Sequence, residues 1–472
     1  MARMDESEDT LRLDDPLVFF LLLAILLALY FVFLSAEPLV ARMGTWAAHL
    51  PTWLLLTASL LVVWQGALRW LLVAVAAVTL IVAARLDHDR AGPRQGPLPA
   101  PLAVMVAINL AVFVFSRFPG MGHAVLPLGI AVLTCLATAY AVDVYRREAT
   151  TDRPHVALLY LVQFPLMLAG PIVRYRDFSS QHSGLTVSLG GFAYGMRRLT
   201  IGLVKVVLVA RALALPTDAI FALPVPKLSA DAAWLGAVCF SLQLYYQFSG
   251  CSDVAIGLGR MLGFRYPENF RRPYTADSVR EFWRRWNITL MTWLRDYLRL
   301  PIAERDDPAP RLYVNIVIGF CLVGLWHGGG RGVVIWSLYS GMWLALEAVG
   351  LGVRVKTLPA FVRHVYLLTV VMIGWVILRA DTPSGALAFL QTMAGLNGLA
   401  GRTAWHYLTL PLGVALGVAI VGAGPMVPAI SRWRVSLDAA TVSVLMMVAA
   451  TGFFLWRGVS FLVGSLLPNR LR

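Results

Sequence analysis

The sequence predicts an all-α polytopic membrane protein, folded as a single integral-membrane domain over residues 1–472. Three observations predict it. Of the 472 residues, 58% are hydrophobic and 14% charged, with a mean hydropathy of +0.70. A soluble domain carries about 25% charged residues, so these charges are too few to cover a water-soluble surface of this size. Apolar runs that approach the ~20 residues of a bilayer-crossing helix recur along the chain. The connections between them are short and rich in helix breakers, as at Asp87–Pro99, Pro224–Pro226 and Pro308–Pro310. No linker separates domains, and no internal repeat or low-complexity tract appears.

The elements follow in order. Met1–Asp15 is polar and net acidic, without a basic leader or an Ala-x-Ala site. Leu17–Leu34 is therefore expected to be a retained first helix, its N-terminus outside. The next expected spans are Trp53–Val63, Leu68–Ala84, Leu102–Phe115, Val125–Val142, Val156–Val173 and Leu189–Leu213. After these come Ala232–Phe248, Leu312–Trp326, Val333–Leu351, Val365–Ile377, Leu408–Val421 and Ala439–Phe454. Several are short for a full crossing and are expected to be half-helices or to lie inside the bundle, giving about ten to twelve helices.

Charge and cysteine usage exclude other classes. The net charge of +14 is attributed to arginine in cytoplasmic loops. No long Lys/Arg run or basic helix points to nucleic acid. Cys135, Cys239 and Cys321 lie in apolar segments and Cys251 in what reads as a Ser/Gly turn. Without a Cys-x-x-Cys pair or a His/Cys cluster at zinc spacing, neither disulfides nor a metal site is expected.

One region departs from the apolar pattern. Between Phe264 and Arg311 lie ten arginines: Arg265, Arg271, Arg272, Arg280, Arg284, Arg285, Arg295, Arg299, Arg305 and Arg311. Trp283, Trp286, Leu290, Trp293, Leu294 and Tyr297 step at threes and fours, predicting an amphipathic helix that follows the turn Glu268–Pro273. Such a helix fits two placements. It can lie on the cytoplasmic leaflet, with tryptophan at headgroup level and arginine on phosphates. It can also dip into the protein and line a cavity.

The chemistry is sought among ionisable groups at membrane depth, which are costly to place there. His327, in Gly324-Leu325-Trp326-His327-Gly328-Gly329-Gly330, closes an apolar run. The other seven histidines fall in loops or near segment ends. Gly-x-Ser-x-Gly, Walker, dinucleotide and His-Glu-x-x-His motifs are absent. Asp306-Asp307, the nearest approach to an acidic pair, sits in a Pro-bounded connector. What remains is a polar set: Tyr245, Tyr246, Gln247, Ser249, Ser252, Asp253, Glu268, Asn269, Asn287 and His327. Acyl transfer to a hydroxyl needs a base, a hydrogen-bond donor and a dry passage. His327 suits the base, and Asn287 suits a donor to the carbonyl or an orienter of the histidine. Arg271, Arg272, Arg284 and Arg285, with Trp286 beside them, are candidates to hold a phosphorylated acyl donor.

These residues carry a family resemblance. The run from Tyr245 to Phe264, then Pro267–Tyr274, Phe282-Trp283-Arg284-Arg285-Trp286-Asn287, Trp293–Tyr297 and Gly324–Gly328 resembles bacterial membrane-bound O-acyltransferases. Asp143–Arg147 and Gly170–Tyr175 extend the likeness upstream. It covers about residues 140–350, expected to be the catalytic core, and is nearest to the alginate O-acetylation and D-alanyl-lipoteichoic acid branch.

The resemblance implies a ring of helices around a thin centre, with a tunnel joining the two sides. It also implies a cytoplasmic thioester donor, acetyl-CoA or another acyl thioester, and no permanently bound cofactor. His327 takes the place of the family histidine and Asn287 that of its upstream partner. The polysaccharide branch usually has His at the latter position, while lipid- and protein-acylating branches often have Asn.

The expected function is inner-membrane transfer of an acyl group, acetyl in the first instance, toward a hydroxyl of an exported polysaccharide. Transfer is direct or through a periplasmic acetyltransferase or secretion partner. Lipid, peptidoglycan or protein acceptors remain open, as does a non-enzymatic acyl or glycolipid transporter. Against the transporter stand the absence of a repeat and the scarcity of charges inside spans, Lys205 and Glu347 being examples.

Overall fold

The computed structural model describes residues 25–32, 49–64, 69–88, scattered positions within 100–109, 128–167, 170–298, 309–326, 331–380, 382–396 and 401–424. Among these, helix is the only extended element. A lone bridge between Leu228 and Arg402 is the sole β-type pairing.

In chain order the helices are α1 (Leu50–Trp64), α2 (Arg69–His88), α3 (Leu128–Tyr145), α4 (Pro154–Val162), α5 (Phe164–Met167) and α6 (Tyr175–Ser183). Then come α7 (Leu189–Val204), α8 (Arg211–Phe221), α9 (Ala230–Met261), α10 (Val279–Arg285) and α11 (Ile288–Leu298). The series closes with α12 (Ala309–Trp326), α13 (Arg331–Leu346), α14 (Gly352–Lys356), α15 (Ala360–Arg379), α16 (Pro383–Met393) and α17 (Leu410–Ala423).

Among the described residues, four helical stretches are long and apolar enough to cross a bilayer: Trp70–His88, Leu189–Phe221, Arg331–Lys356 and Ala360–Arg379. Four shorter apolar helices join them: Leu50–Trp64, Ala131–Tyr145, Pro154–Met167 and Leu410–Ala423. The all-α polytopic class holds. The expected ten to twelve helices include Ala439–Phe454 and parts of Leu17–Leu34 and Leu102–Phe115, which lie outside the described residues.

Several expected boundaries are corrected. Val156–Val173 is not one span: it breaks at Gln163, whose backbone turns extended (φ −60°, ψ 113°), and Pro165 follows within α5. The expected Leu189–Leu213 runs on to Phe221, because α7 passes through a widened π turn (Lys205–Ala210) directly into α8. Ala232–Phe248 likewise continues to Met261. Cys251 is therefore not in a turn but buried within α9. Serine and glycine favour turns in water. Between membrane helices they are small packing residues, and the helix carries on through them.

Glycine lets two helix backbones touch. A Cβ on Gly195 would come within 2.5 Å of the Gly257 carbonyl, and one on Gly257 within 2.6 Å of the Gly195 carbonyl. Gly202 and Gly250 repeat this at 2.6 and 2.8 Å. The paired glycines are seven residues apart on each helix, about two turns, so α7 and α9 cross antiparallel with backbones touching twice.

That approach brings charge together. Asp253 of α9 is buried between two cations, Arg198 of α7 (2.6 Å) and Lys205 of the π turn (2.6 Å). Arg198 also pairs with Glu268 at 2.5 Å, in the segment after α9.

Gly257→Ala is expected to force α7 and α9 apart and to destabilise the protein by about 1–3 kcal/mol, the usual cost of overpacking. Gly417→Ala, where a Cβ meets nothing within 4 Å, is expected to leave stability unchanged. Thermal unfolding of both variants in detergent checks the pair.

Candidate active site

The site is organised by a broken helix. The expected amphipathic helix through Trp283 and Tyr297 exists as two, α10 and α11, separated at Trp286 and Asn287. Asn287 is thus not on a helix but in the break, at φ +46°, in the left-handed region. The cause is long-range. The Arg285 carbonyl accepts a hydrogen bond from the Arg271 N–H at 2.9 Å. The Ile288 N–H donates to the Asn269 carbonyl at 2.9 Å. The Asn269 side-chain oxygen accepts from the Thr289 N–H (3.1 Å) and hydroxyl (2.9 Å). Thr289 Oγ1 in turn accepts from the Ile172 N–H at 2.9 Å. The Asn287 carbonyl then takes the Met291 N–H (3.1 Å), the first hydrogen bond of α11. Arg272, at φ +47°, is the second non-glycine residue in the left-handed region on this staple. Asparagine tolerates that conformation, whereas most side chains pay for it.

α10 starts where two side chains meet its free N–H groups. Ser278 accepts from Glu281 N–H at 3.2 Å. The buried Glu347 carboxylate accepts from Val279 N–H (2.8 Å) and Arg280 N–H (2.9 Å), an anion on a helix N-terminus.

The apolar face faces inward. Trp283, Trp286, Leu290, Leu294 and Tyr297 are all buried, and Trp293 partly so, its indole N–H on the Cys135 carbonyl at 2.9 Å. Of the two placements open from the sequence, which are compatible with one another, the structure shows the packing of the apolar face inside the protein. Trp286 stacks on Phe282 (5.5 Å between ring centres, 19° between planes) and lies 5.0 Å from Trp375. Tyr274 donates to the Ser241 carbonyl (2.7 Å) and accepts from the Trp375 indole (3.1 Å). Burial pushes its phenol well above the usual range, so it stays a donor. Tyr297 donates to the buried Asp143 at 2.9 Å, fastening the far end of α11 to α3.

The sequence candidates separate against this frame. Arg271 and Arg272 are exposed, and no described carboxylate pairs with either. Arg284 is exposed with a loose 3.8 Å approach to Glu281. Arg285 is engaged, on Glu281 at 2.8 Å and on Thr275 Oγ1 at 2.9 Å. Trp286, at 5% exposure, is part of the aromatic core and presents little surface to a donor.

His327 and Gly328–Gly330 lie outside the described residues, as does Asp306-Asp307. The helix leading to His327, α12, ends at Trp326, and its Phe320 meets Trp283 at 5.0 Å. Ser249 and Ser252 have buried hydroxyls without a described partner, while Tyr246 donates to the Ala419 carbonyl at 2.8 Å. Sequence reasoning grouped Glu268 and Asn269 with the site but missed Arg198, a paired charge beside Arg197 in an apolar stretch, and the capping role of Glu347.

A sequence profile of the membrane-bound O-acyltransferase family matches residues 110–379, which include both Asn287 and His327. The chain belongs to the membrane-bound O-acyltransferase family. Among relatives of this family, it is 38% identical over 303 residues to the probable alginate O-acetylase AlgI of Pseudomonas fluorescens, covering 63% of this chain and 60% of that protein. To the protein of the same name from Pseudomonas syringae pv. tomato it is 40% identical over 281 residues, covering 59% and 52%. To the peptidoglycan O-acetyltransferase of Helicobacter pylori it is 31% identical over 308 residues, covering 59% and 58%. The chain thus spans between about half and two thirds of the length of the first of these relatives, and family membership places it in a membrane.

Two substitutions separate backbone from side chain at Asn287. Asn287→Gly, free of strain at this φ, is expected to unfold at the wild-type temperature, and to lose most acyl transfer if Asn287 has the role the family resemblance implies. Asn287→Val, β-branched at positive φ, is expected to cost about 1–3 kcal/mol of stability. Melting and turnover measured on the same preparations test both.

Proposed function

We propose that the protein is an inner-membrane O-acyltransferase. It moves an acyl group, acetyl first, from acetyl-CoA or another cytoplasmic thioester toward a hydroxyl of an exported polysaccharide. Delivery is direct or through a periplasmic acetyltransferase or secretion partner. The observation that carries the reading is the turn at Asn287, held on its near side by the Arg271 N–H on the Arg285 carbonyl and on its far side by Asn269 on Ile288 and Thr289, beside the buried Trp286. A backbone fixed in this way presets the Asn287 amide, and a preorganised donor stabilises charge as it develops, without reorganising. The similarity to alginate O-acetylases supports the acceptor class.

In the reaction, neutral His327 takes the proton of the acceptor hydroxyl while its oxygen attacks the thioester carbonyl. The C–S bond breaks, and the departing thiolate takes the proton back from the imidazolium. The Asn287 amide donates to the carbonyl oxygen or holds the histidine tautomer. Arg271 and Arg272, exposed and without a described carboxylate, are the arginines left to meet donor phosphates. Arg284 assists them, and Arg285 serves the fold. Lys205 and Glu347, among the few charges inside the expected spans, are engaged with Asp253 and the α10 N-terminus, which supports a fixed scaffold over a moving charge relay. Asn287 favours a second acceptor reading, a lipid, peptidoglycan or protein hydroxyl, because the resembling polysaccharide branch usually has His there.

His327→Ala is expected to lower acyl transfer by about 10²–10⁴-fold, the share of a general base, while the protein still inserts. Labelled acetyl-CoA with purified protein reads this out, and wild-type product from the variant rejects the assignment. Replacing Arg271 and Arg272 together by alanine is expected to raise KM for acetyl-CoA about tenfold, with kcat within about twofold. Steady-state kinetics against donor concentration check that split.

A further inference from the structure

We propose that Arg198 is a positioning residue for the acyl-transfer site, acting at a distance through Glu268 and Asn269 on the turn that carries Asn287. The inference rests on the acyl-transfer reading for its functional half and on geometry alone for its structural half.

Arg198 leaves α7 beside the glycine contacts and meets two carboxylates. Its Nε donates to Asp253 Oδ1 at 2.8 Å. Its two terminal nitrogens reach Glu268 Oε1 at 2.9 Å and Oε2 at 2.5 Å. This is a bidentate fork, which a lysine cannot form. Asp253 does not need Arg198 for neutrality alone, because Lys205 sits on its other oxygen at 2.6 Å. What only Arg198 supplies is the tie to Glu268.

Glu268 is adjacent to Asn269, and Asn269 does three things at once. Its carbonyl accepts from Ile288 N–H, and its side-chain oxygen accepts from both the N–H and the hydroxyl of Thr289. Those groups follow Asn287 directly. The chain of contacts thus runs from a spanning helix, through one guanidinium, to the backbone that forces φ +46° at Asn287. Tyr266, two residues before Glu268, is fastened separately to Gln163 at 2.6 Å. Loss of the Arg198 fork therefore loosens the Glu268–Asn269 end of the segment without releasing the whole loop.

The test uses the full-length protein in detergent, with Glu268→Gln, Arg198→Lys and the double variant. Glu268 is 37% exposed on its side chain, so Glu268→Gln leaves the buried Arg198–Asp253–Lys205 group intact and keeps the test alive if Arg198→Lys folds poorly. Hydrogen exchange at the Ile288 and Thr289 amides is expected to quicken about tenfold in each single variant. Exchange in α2 is expected to stay at its wild-type value in both, and so is the melting temperature of Glu268→Gln, which keeps the Arg198–Asp253 contact. With acetyl-CoA, kcat is expected to fall about tenfold while KM moves by less than about twofold. At Ile288 and Thr289 the double variant is expected to exchange no faster than the singles, because both cut the Arg198–Glu268 link.

Unchanged exchange at Ile288 and Thr289 overturns the proposal. So does faster exchange everywhere together with a lowered melting temperature, which marks a general structural role. If the wild-type protein transfers no acyl group, the functional reading fails on its own, and the exchange measurement still decides whether Arg198 holds the turn.

Discussion

Two backbone-to-backbone contacts between α7 and α9 govern the geometry of the site. Gly195 against Gly257 and Gly202 against Gly250 bring the helices closer than any side chain allows. At that separation Arg198 and Lys205 reach Asp253 from opposite sides. Wider spacing would leave Asp253 buried and under-compensated, a state that costs about 3–5 kcal/mol for a buried pair missing one partner. The glycines and the charges are therefore one device, in which small residues permit the approach and the ion group penalises any other register. Small-residue interfaces are what a bilayer favours, since lipid removes the hydrophobic drive between helices.

From this device order spreads to the centre. Arg198 passes it to Glu268, Asn269 passes it to α11, and Glu347 fixes the start of α10 from the opposite side. The aromatic face of α10 and the break then closes on Trp336, Trp375 and Phe320, while α11 fastens to α3 through Trp293 and Tyr297. A helix that reads as interfacial by composition becomes a buried wall, its arginines divided by role. Arg285 is spent on Glu281 and Thr275, and Arg271 and Arg272 remain outside.

What was legible in the chain follows from how local each signal is. The class and most spans follow from composition and apolar length, which any stretch declares by itself. The inward face of Trp283, Trp286, Leu290, Leu294 and Tyr297 was readable from its spacing, because a helix imposes 3.6 residues per turn wherever it lies. The breaks were not readable. Asn287 turns left-handed because Asn269, 18 positions away in the chain (287 − 269), captures the next two residues, and no local pattern announces that. Gln163 interrupts an apolar run while its side-chain oxygen accepts from Tyr266, again a distant partner. Cys251 failed in the opposite sense: its Ser/Gly neighbours signal a turn by propensity, and packing against α7 overrides it.

Position 287 shows how backbone and chemistry constrain one another. The left-handed conformation there admits few residue types cheaply, and asparagine and histidine are both among those enriched in it. The resembling branches differ by this very pair. An Asn-for-His exchange at 287 therefore leaves the turn undisturbed and changes only what the side chain presents. Asparagine offers an amide donor that does not titrate, whereas histidine offers a second ring able to carry a proton. In the proposed reaction, with Asn287 as the partner, proton movement would fall to a single group, His327, and the partner position would contribute a fixed dipole. A site built in this way would depend on geometry at 287 more than on its protonation, and on that proposal the staple through Asn269 and the tie through Arg198 would bear on catalysis as well as on stability.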